Sequence, residues 1–299
     1  MIVSTQTMPI AGKIGEAEAI RLIAQAGFDA YDITLNGIEG NPIFEDNYKD
    51  YLASLKAVAD EAGITCNQSH APSSSRRDDS PKNQYYNEHI FDWLVRSLEA
   101  AAYLGAKNII VHPINYMTYR GNEAYLKDMN MEFYRALAPH AKRVGIRIAL
   151  ENTGQMDKRR GIFVDSVCGS VREQIDYLET LGDDCFVACL DLGHCGLLGH
   201  EVTDSIRALG ADRLAALHVH DNNFREDNHT APFCGKMEWM PILETLAQIG
   251  YRGDFTFECY NFFRGLPSEF LPDAAEYLCR LGRRMANLIE QKQSIYNEV

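Results

Sequence analysis

Along the chain, apolar residues recur at two spacings. Stretches such as YKDYLASLKAVADEAG and HIFDWLVRSLEAAAYLG carry them at helical spacing, one face apolar and the other charged. Between such stretches lie short apolar runs that read as strands around 2–5, 30–34, 64–69, 108–112, 146–151, 186–191, 214–220 and 254–258. Seven joints share one punctuation: a helical segment, then Gly27, Gly63, Gly105, Gly145, Gly182, Gly210 or Gly250, then a strand. Glycine just past a helix end adopts the left-handed conformation that closes it, so each joint reads helix, cap, strand. Eight strands alternating with helices predict the α/β class and a single (β/α)8 (TIM) barrel, one domain over residues 1–299. A doubly wound open sheet also alternates, but no GxGxxG follows the first strand.

The strand-to-helix loops at 71–84, 152–169 and 221–236 are long and polar, whereas helix-to-strand joints are short. That asymmetry marks the carboxyl end of the strands as the functional end. Period-two alternation divides each strand between two faces. Ile148 and Leu150 oppose Ala149 and Glu151, and Ala188 and Leu190 oppose Cys189 and Asp191. Leu217 and Val219 oppose His218 and His220, and Phe255 and Phe257 oppose Thr256 and Glu258. The bulky parity suits packing against helices, which turns the polar parity into the barrel mouth. Two earlier strands end in His70 and His112, so six of eight strands bring a His, Asp or Glu to one rim.

A lone acid or imidazole at a strand end is ordinarily a satisfied polar residue or a helix N-cap. Three carboxylates and several histidines converging on one cavity are different: they repel or stay unpaired unless a cation compensates them. Oxygen-rich ligation with one imidazole suits Mn²⁺, Mg²⁺ or Co²⁺ and admits Zn²⁺.

Bulk properties narrow the partners. A net charge of −13 argues against nucleic acid, since phosphate contacts need a basic surface. No apolar run is long enough to span a membrane, and the start MIVSTQTMPIAGK lacks the pattern of a signal peptide, so a cytoplasmic protein is expected. The eight cysteines form no CxxC pair and several sit in apolar runs, which reads as reduced, buried thiols.

Four short motifs carry a resemblance: LEN at 150–152, CLDLGH at 189–194, LHVHD at 217–221 and FE at 257–258. In this order they resemble the xylose isomerase-like barrel superfamily, which holds sugar and sugar-phosphate isomerases and epimerases, inosose-handling enzymes and endonuclease IV. Its ketose 3-epimerase branch implies one divalent ion, Mn²⁺ foremost, held by Glu151, Asp191, His218 and Glu258. There the two glutamates also move the proton, and the histidine of DxxH, here His194, contacts substrate. Arg225 stands near the place of a family arginine, one position off. Asp227 and His229, with Trp239 downstream, resemble an element of small-molecule members, in which His70, His112 and His229 would hydrogen-bond sugar hydroxyls. The implied partner is a small sugar, and the implied assembly a homodimer or homotetramer.

The chemistry is coherent without the resemblance. A hydroxy-carbonyl compound chelated through two oxygens has a polarised carbonyl and an acidified neighbouring C–H. Carboxylates on its two sides could remove and return the proton through a cis-enediolate. The endonuclease IV branch instead implies three zinc ions and phosphodiester hydrolysis, and its ligand motifs match His70, His112, Glu151, Asp191, His194, His218, Asp227, His229 and Glu258. The acidic charge weighs against it, as does a single basic cluster at Lys158, Arg159 and Arg160. A dehydratase or a non-catalytic sugar binder is a third reading. No Gly-rich phosphate cradle is evident, which counts against phosphorylated substrates, although loop arginines could serve.

The other histidines read as structural: His200 in a loop, His89 and His140 in helices, and His220 beside the ligands without being one. Tyr116, Tyr119, Phe224, Trp239, Tyr260 and Phe262 lie near the functional end and divide between stacking on a sugar and ordinary packing.

Overall fold

Eight parallel strands close on themselves, and the glycine joints set the helices between them. The computed structural model describes residues 1–35, 38, 40–73 and 75–297. From the start run β1 (Val3–Gln6), α1 (Met8–Ile14), α2 (Glu16–Gln25), β2 (Ala30–Thr34), α3 (Tyr48–Ala62) and β3 (Thr65–His70). Then come α4 (Gln84–Leu104), β4 (Asn108–Ile110), α5 (Glu123–Val144) and β5 (Arg147–Glu151). A hairpin, β6 (Gly154–Asp157) and β7 (Ile162–Asp165), precedes α6 (Val171–Leu181). It is followed by β8 (Phe186–Asp191), α7 (Leu192–Leu197), α8 (Val202–Arg213) and β9 (Leu214–Val219). The chain ends with α9 (Trp239–Gln248), β10 (Phe255–Phe257), α10 (Tyr260–Arg264) and α11 (Leu271–Asn297).

The strands close in the order β1, β2, β3, β4, β5, β8, β9, β10 and back to β1, which is the (β/α)8 barrel the alternation predicts. All seven joint glycines have positive φ. Helix α4 shows why its segment folds as it does. Ile90, Leu94, Leu98, Ala101 and Leu104 recur at steps of three and four and form the buried face. Gly105, left-handed at φ 106°, then ends the helix and turns the chain toward β4.

Alternation partitions the core as expected. Ile148, Leu150, Leu190, Leu217, Val219, Phe255 and Phe257 lie between barrel and helices in one large apolar cluster. Burying each such side chain stabilises the fold by about 1.5–3 kcal/mol. Inside the barrel a second, small cluster joins Ile110, Ala149, Val187, Cys189 and Ala216. The opposite inner wall is polar: Ser4 Oγ donates to Thr256 Oγ1 at 2.8 Å, and Asn67 Nδ2 to Asp254 Oδ2 at 2.8 Å.

Two expectations are adjusted. Strands β4, β9 and β10 stop short, so His112, His220 and Glu258 lie just past strand ends rather than within them. The loop over 152–169 holds the antiparallel hairpin β6–β7, which the pattern did not signal. All eight cysteines are free thiols, seven of them buried and Cys234 exposed. Among the described residues no helix is long and apolar enough to cross a membrane.

Candidate metal centre

Four strands deliver the central group. Glu151 closes β5, Asp191 closes β8, His218 is the penultimate residue of β9, and Glu258 follows β10. Register aligns them, since Asp191 pairs with His218, and His218 pairs with Thr256, two positions before Glu258. One ligand atom from each of the four lies within 4.8 Å of the others. His218 Nδ1 stands 2.8 Å from Glu151 Oε1, 3.1 Å from Glu258 Oε2 and 3.8 Å from Asp191 Oδ2.

Two buried carboxylates and the partly buried Glu258 around one imidazole are costly without positive charge. Burial alone would raise the Glu151 carboxyl, but His218 and His112 beside it hold it well below the usual range. Glu258 is likewise pushed up by burial and pulled well below its ordinary value by His218 and His229. The partners move the other way. Burial disfavours charged His218, yet Cys189, Glu258 and Glu151 hold its imidazole well above the ordinary value. The group could therefore hold a cation in place of the imidazole protons. The donor set of three carboxylates and one imidazole fits a divalent ion, and buried His218 Nε2 has no hydrogen-bond partner.

A second ring of imidazoles surrounds this centre. His112 Nε2 is 2.6 Å from Glu151 Oε2, and His112 Nδ1 is 3.3 Å from the carbonyl oxygen of Ser73. His70 stacks on His218 with ring centroids 4.5 Å apart. His194 bridges outward, with Nδ1 3.5 Å from Glu151 Oε1 and Nε2 3.5 Å from Asp227 Oδ2. His229 Nε2 is 3.0 Å from Asp227 Oδ1, and its ring is sandwiched between His220 at 3.7 Å and Tyr260 at 4.1 Å. Burial opposes ionising Asp227, but His194 and His229 hold its carboxyl far below the usual range. His220 Nε2 lies 2.9 and 3.0 Å from the two oxygens of Asp191. Asp191, His194, His220 and His229 form a second group able to hold a cation, and Asp32, His70 and His218 a third. Thus the structure gathers every site residue read from the sequence except Arg225, which is exposed on the loop and whose backbone N–H donates to Asn223 Oδ1.

Several residues here were not singled out in the sequence. Gln6 Nε2 donates to Glu258 Oε1 at 2.9 Å. Asn152 clamps the end of β8, accepting from Asp191 N at 2.7 Å and donating to Asp191 O at 2.9 Å. Asp32 is buried against His70, and alternation applied to AYDIT would have turned it inward with Ala30 and Thr34. Asp221, of LHVHD, accepts from the N–H groups of Asn222, Phe233, Met237 and Trp239 Nε1. Trp239 is therefore a buried anchor for the 221–238 loop, and Phe262 packs on Phe263 and Tyr277. Tyr116 and Tyr119 are half-buried and Phe224 is exposed. His112, Asn115, Thr153, His194 and Asp227 line a cleft of ≈ 190 Å³ beside the centre.

Comparison with known proteins agrees with this architecture. An uncharacterised protein of Methanocaldococcus jannaschii is 26% identical over 268 residues, covering 88% of this chain and 85% of its own. The D-psicose 3-epimerase of Ruminiclostridium cellulolyticum is 26% identical over 243 residues, covering 80% and 76%. The crystal structure of a D-tagatose 3-epimerase-like protein superposes with a TM-score of 0.76 at 18% identity, over 98% of this chain and 99% of that one. Residues 20–281 match the family described as xylose isomerase-like TIM barrel, and the chain belongs to that family.

Proposed function

We propose that this protein is a divalent-metal-dependent sugar isomerase or epimerase in which Glu151 and Glu258 exchange a proton with the substrate carbon. The observation that carries the reading is the quartet Glu151, Asp191, His218 and Glu258, four residues from four strands with ligand atoms within 4.8 Å. Kinship with a D-psicose 3-epimerase supports the substrate class. Bound there, a divalent ion, Mn²⁺ foremost, would offset the three carboxylates and polarise a substrate carbonyl, acidifying the neighbouring C–H.

The chain's own groups supply the rest. Glu151 and Glu258 flank His218, so carboxylate oxygens face the mouth from two sides. One removes the proton and the other returns it, which general acid–base catalysis achieves only with groups already in place. Gln6 fixes Glu258 Oε1, and His112 fixes Glu151 Oε2, so neither carboxylate is free to rotate away. His194, held between Asp227 and Glu151, sits on the cleft wall as a donor for a substrate oxygen.

The test is metal analysis of protein purified without added metal, followed by solvent deuterium incorporation into a panel of ketohexoses. One ion per chain and metal-dependent incorporation are expected, with incorporation abolished in Glu258→Gln. Retained exchange in that variant would remove the two-glutamate proposal. A second reading, phosphodiester hydrolysis over three zinc ions, draws on the gathering of His194, Asp227 and His229 beside the quartet. Three zinc ions per chain would select it.

A further inference from the structure

We propose that Asp165 and His200 are positioning residues, a tether that docks the hairpin β6–β7 on α7 and thereby sets the width of the cleft that receives the substrate. The effect on substrate binding rests on the isomerase reading above, whereas the tether does not.

The cleft is a groove between two elements. The hairpin and its root contribute Thr153, Gly154 and Phe163 to the lining, and α7 with its C-cap contributes His194, Leu197 and Leu198. At ≈ 190 Å³ it is smaller than the roughly 300–1,000 Å³ of a drug-sized pocket, so a small shift of either wall changes a large share of the space.

The α7 wall is fixed at both ends. Asp191 caps its first turn through the N–H of His194. At the other end Gly199, left-handed at φ 81°, turns the chain so that His200 N donates to Cys195 O at 3.0 Å. A helix of six residues thus runs from the candidate centre to His200, the histidine that the sequence leaves in a loop.

The hairpin wall holds itself only at the root. Thr153 Oγ1 donates to Val167 O at 2.8 Å, and Ser166 N to Thr153 O at 3.2 Å. There β6 lies directly on the end of α7, since a Cβ on Gly154 would stand 2.9 Å from Leu198 Cδ2. Asp165 pairs with Gly154 across the hairpin, and its Oδ1 stands 2.7 Å from His200 Nε2. Among the described residues, no other hydrogen bond joins β6 or β7 to the rest of the protein beyond their own root. Met156, Ile162, Phe163 and Val164 of the hairpin all lie outside the main apolar cluster, so little burial holds the strands down. Segments with few buried apolar contacts open at low free energy, and one side-chain bond then counts for much.

His200→Ala removes the tether from a half-exposed position, and limited trypsin digestion of the native full chain reads the result. Cleavage at the exposed Lys158, Arg159 and Arg160 follows the population of the released hairpin. Loss of one hydrogen bond should speed it about three- to tenfold. Asp165→Ala should do the same, and the double variant no more than either alone, because each removes the same contact. His200→Gln, whose amide nitrogen can take the place of Nε2, should return cleavage to within about twofold of the wild-type rate. An unchanged rate in His200→Ala, or effects that multiply in the double variant, overturns the tether. Ketohexose exchange by the Mn²⁺-loaded enzyme reads the cleft. In His200→Ala, KM should rise about tenfold, the cost of one lost wall contact, with kcat within about twofold because the quartet is untouched. His200→Gln should restore KM. An unchanged KM beside faster cleavage overturns the role in the cleft. If the wild type exchanges no ketohexose while the trypsin results follow expectation, the sugar reading fails and the tether stands.

Discussion

Gly193 admits no side chain, because a Cβ there would stand 2.0 Å from His220 Cε1 and 2.4 Å from its Nδ1. The glycine of DLGH thus lets the His220 ring lie against the first turn of α7 and reach both oxygens of Asp191. Asp191 has a second duty, since its Oδ1 accepts from His194 N at 2.6 Å and caps that helix. Gly193→Ala should displace His220 and cost about 1–3 kcal/mol of stability through overpacking. It should also weaken Mn²⁺ binding roughly 10–100-fold, because the partner of a proposed metal ligand is lost. Denaturant unfolding and calorimetric titration read the two effects separately, and wild-type affinity would show that His220 is dispensable to the centre. At this scale the sequence was informative where a charge interrupts an apolar strand, as at Asp191, His218 and Glu258. It was uninformative for Gln6 and Asn152, whose uncharged amides do nothing until the barrel closes around them. Strict alternation would have placed His70 on the face of Cys66, and only a bulge in β3 turns it inward.

Elements were legible in proportion to how local their determinants are. Helix ends were marked by glycines whose positive φ is a property of the residue itself. Strands β4 and β10, three residues each, take their limits from neighbouring strands, so their pattern overstated them. The hairpin β6–β7 turns through the exposed Lys158, Arg159 and Arg160 and lacks the two-sided burial that makes alternation visible. Helix α2 adds a case where local and tertiary preferences conflict. Glu16 opens its first turn, where the helix dipole favours a charged carboxylate. Burial wins, with a smaller push from Asp32, and the carboxyl rises from 4.5 to about 7 despite the lowering influence of the Thr7 hydroxyl nearby. Because the unfolded chain releases this proton first, native stability falls as pH rises from 4.5 toward 7 and stays lowered above that. Glu16→Gln, which never ionises, should match the wild type near pH 4 and exceed it by about 1–3 kcal/mol at pH 8. Urea unfolding at the two pH values measures the difference, and an equal gap at both would contradict the burial argument.

Across the whole molecule, the candidate centre exists only when the sheet is closed. Glu151 and Glu258 are 107 positions apart in sequence (258 minus 151) and meet around His218 only through β5, β8, β9 and β10. An unfolded chain cannot present that set, so an ion held by it stabilises the native state alone. The chain also carries a net charge of −13 with three carboxylates drawn into a buried mouth, so removing a cation leaves their repulsion to the imidazoles. At free metal one hundred times its dissociation constant, binding contributes about 2.7 kcal/mol. With an unfolding entropy of about 2.1 cal/mol/K per residue, a chain of 299 residues should lose about 4 °C of Tm on chelation. Readdition of Mn²⁺ should restore it, and Asp191→Asn should melt at the same temperature with and without chelator. A wild-type melt indifferent to both chelator and Mn²⁺ would mean that the four strand-end residues hold no ion, and the proposed chemistry would lose its Lewis acid.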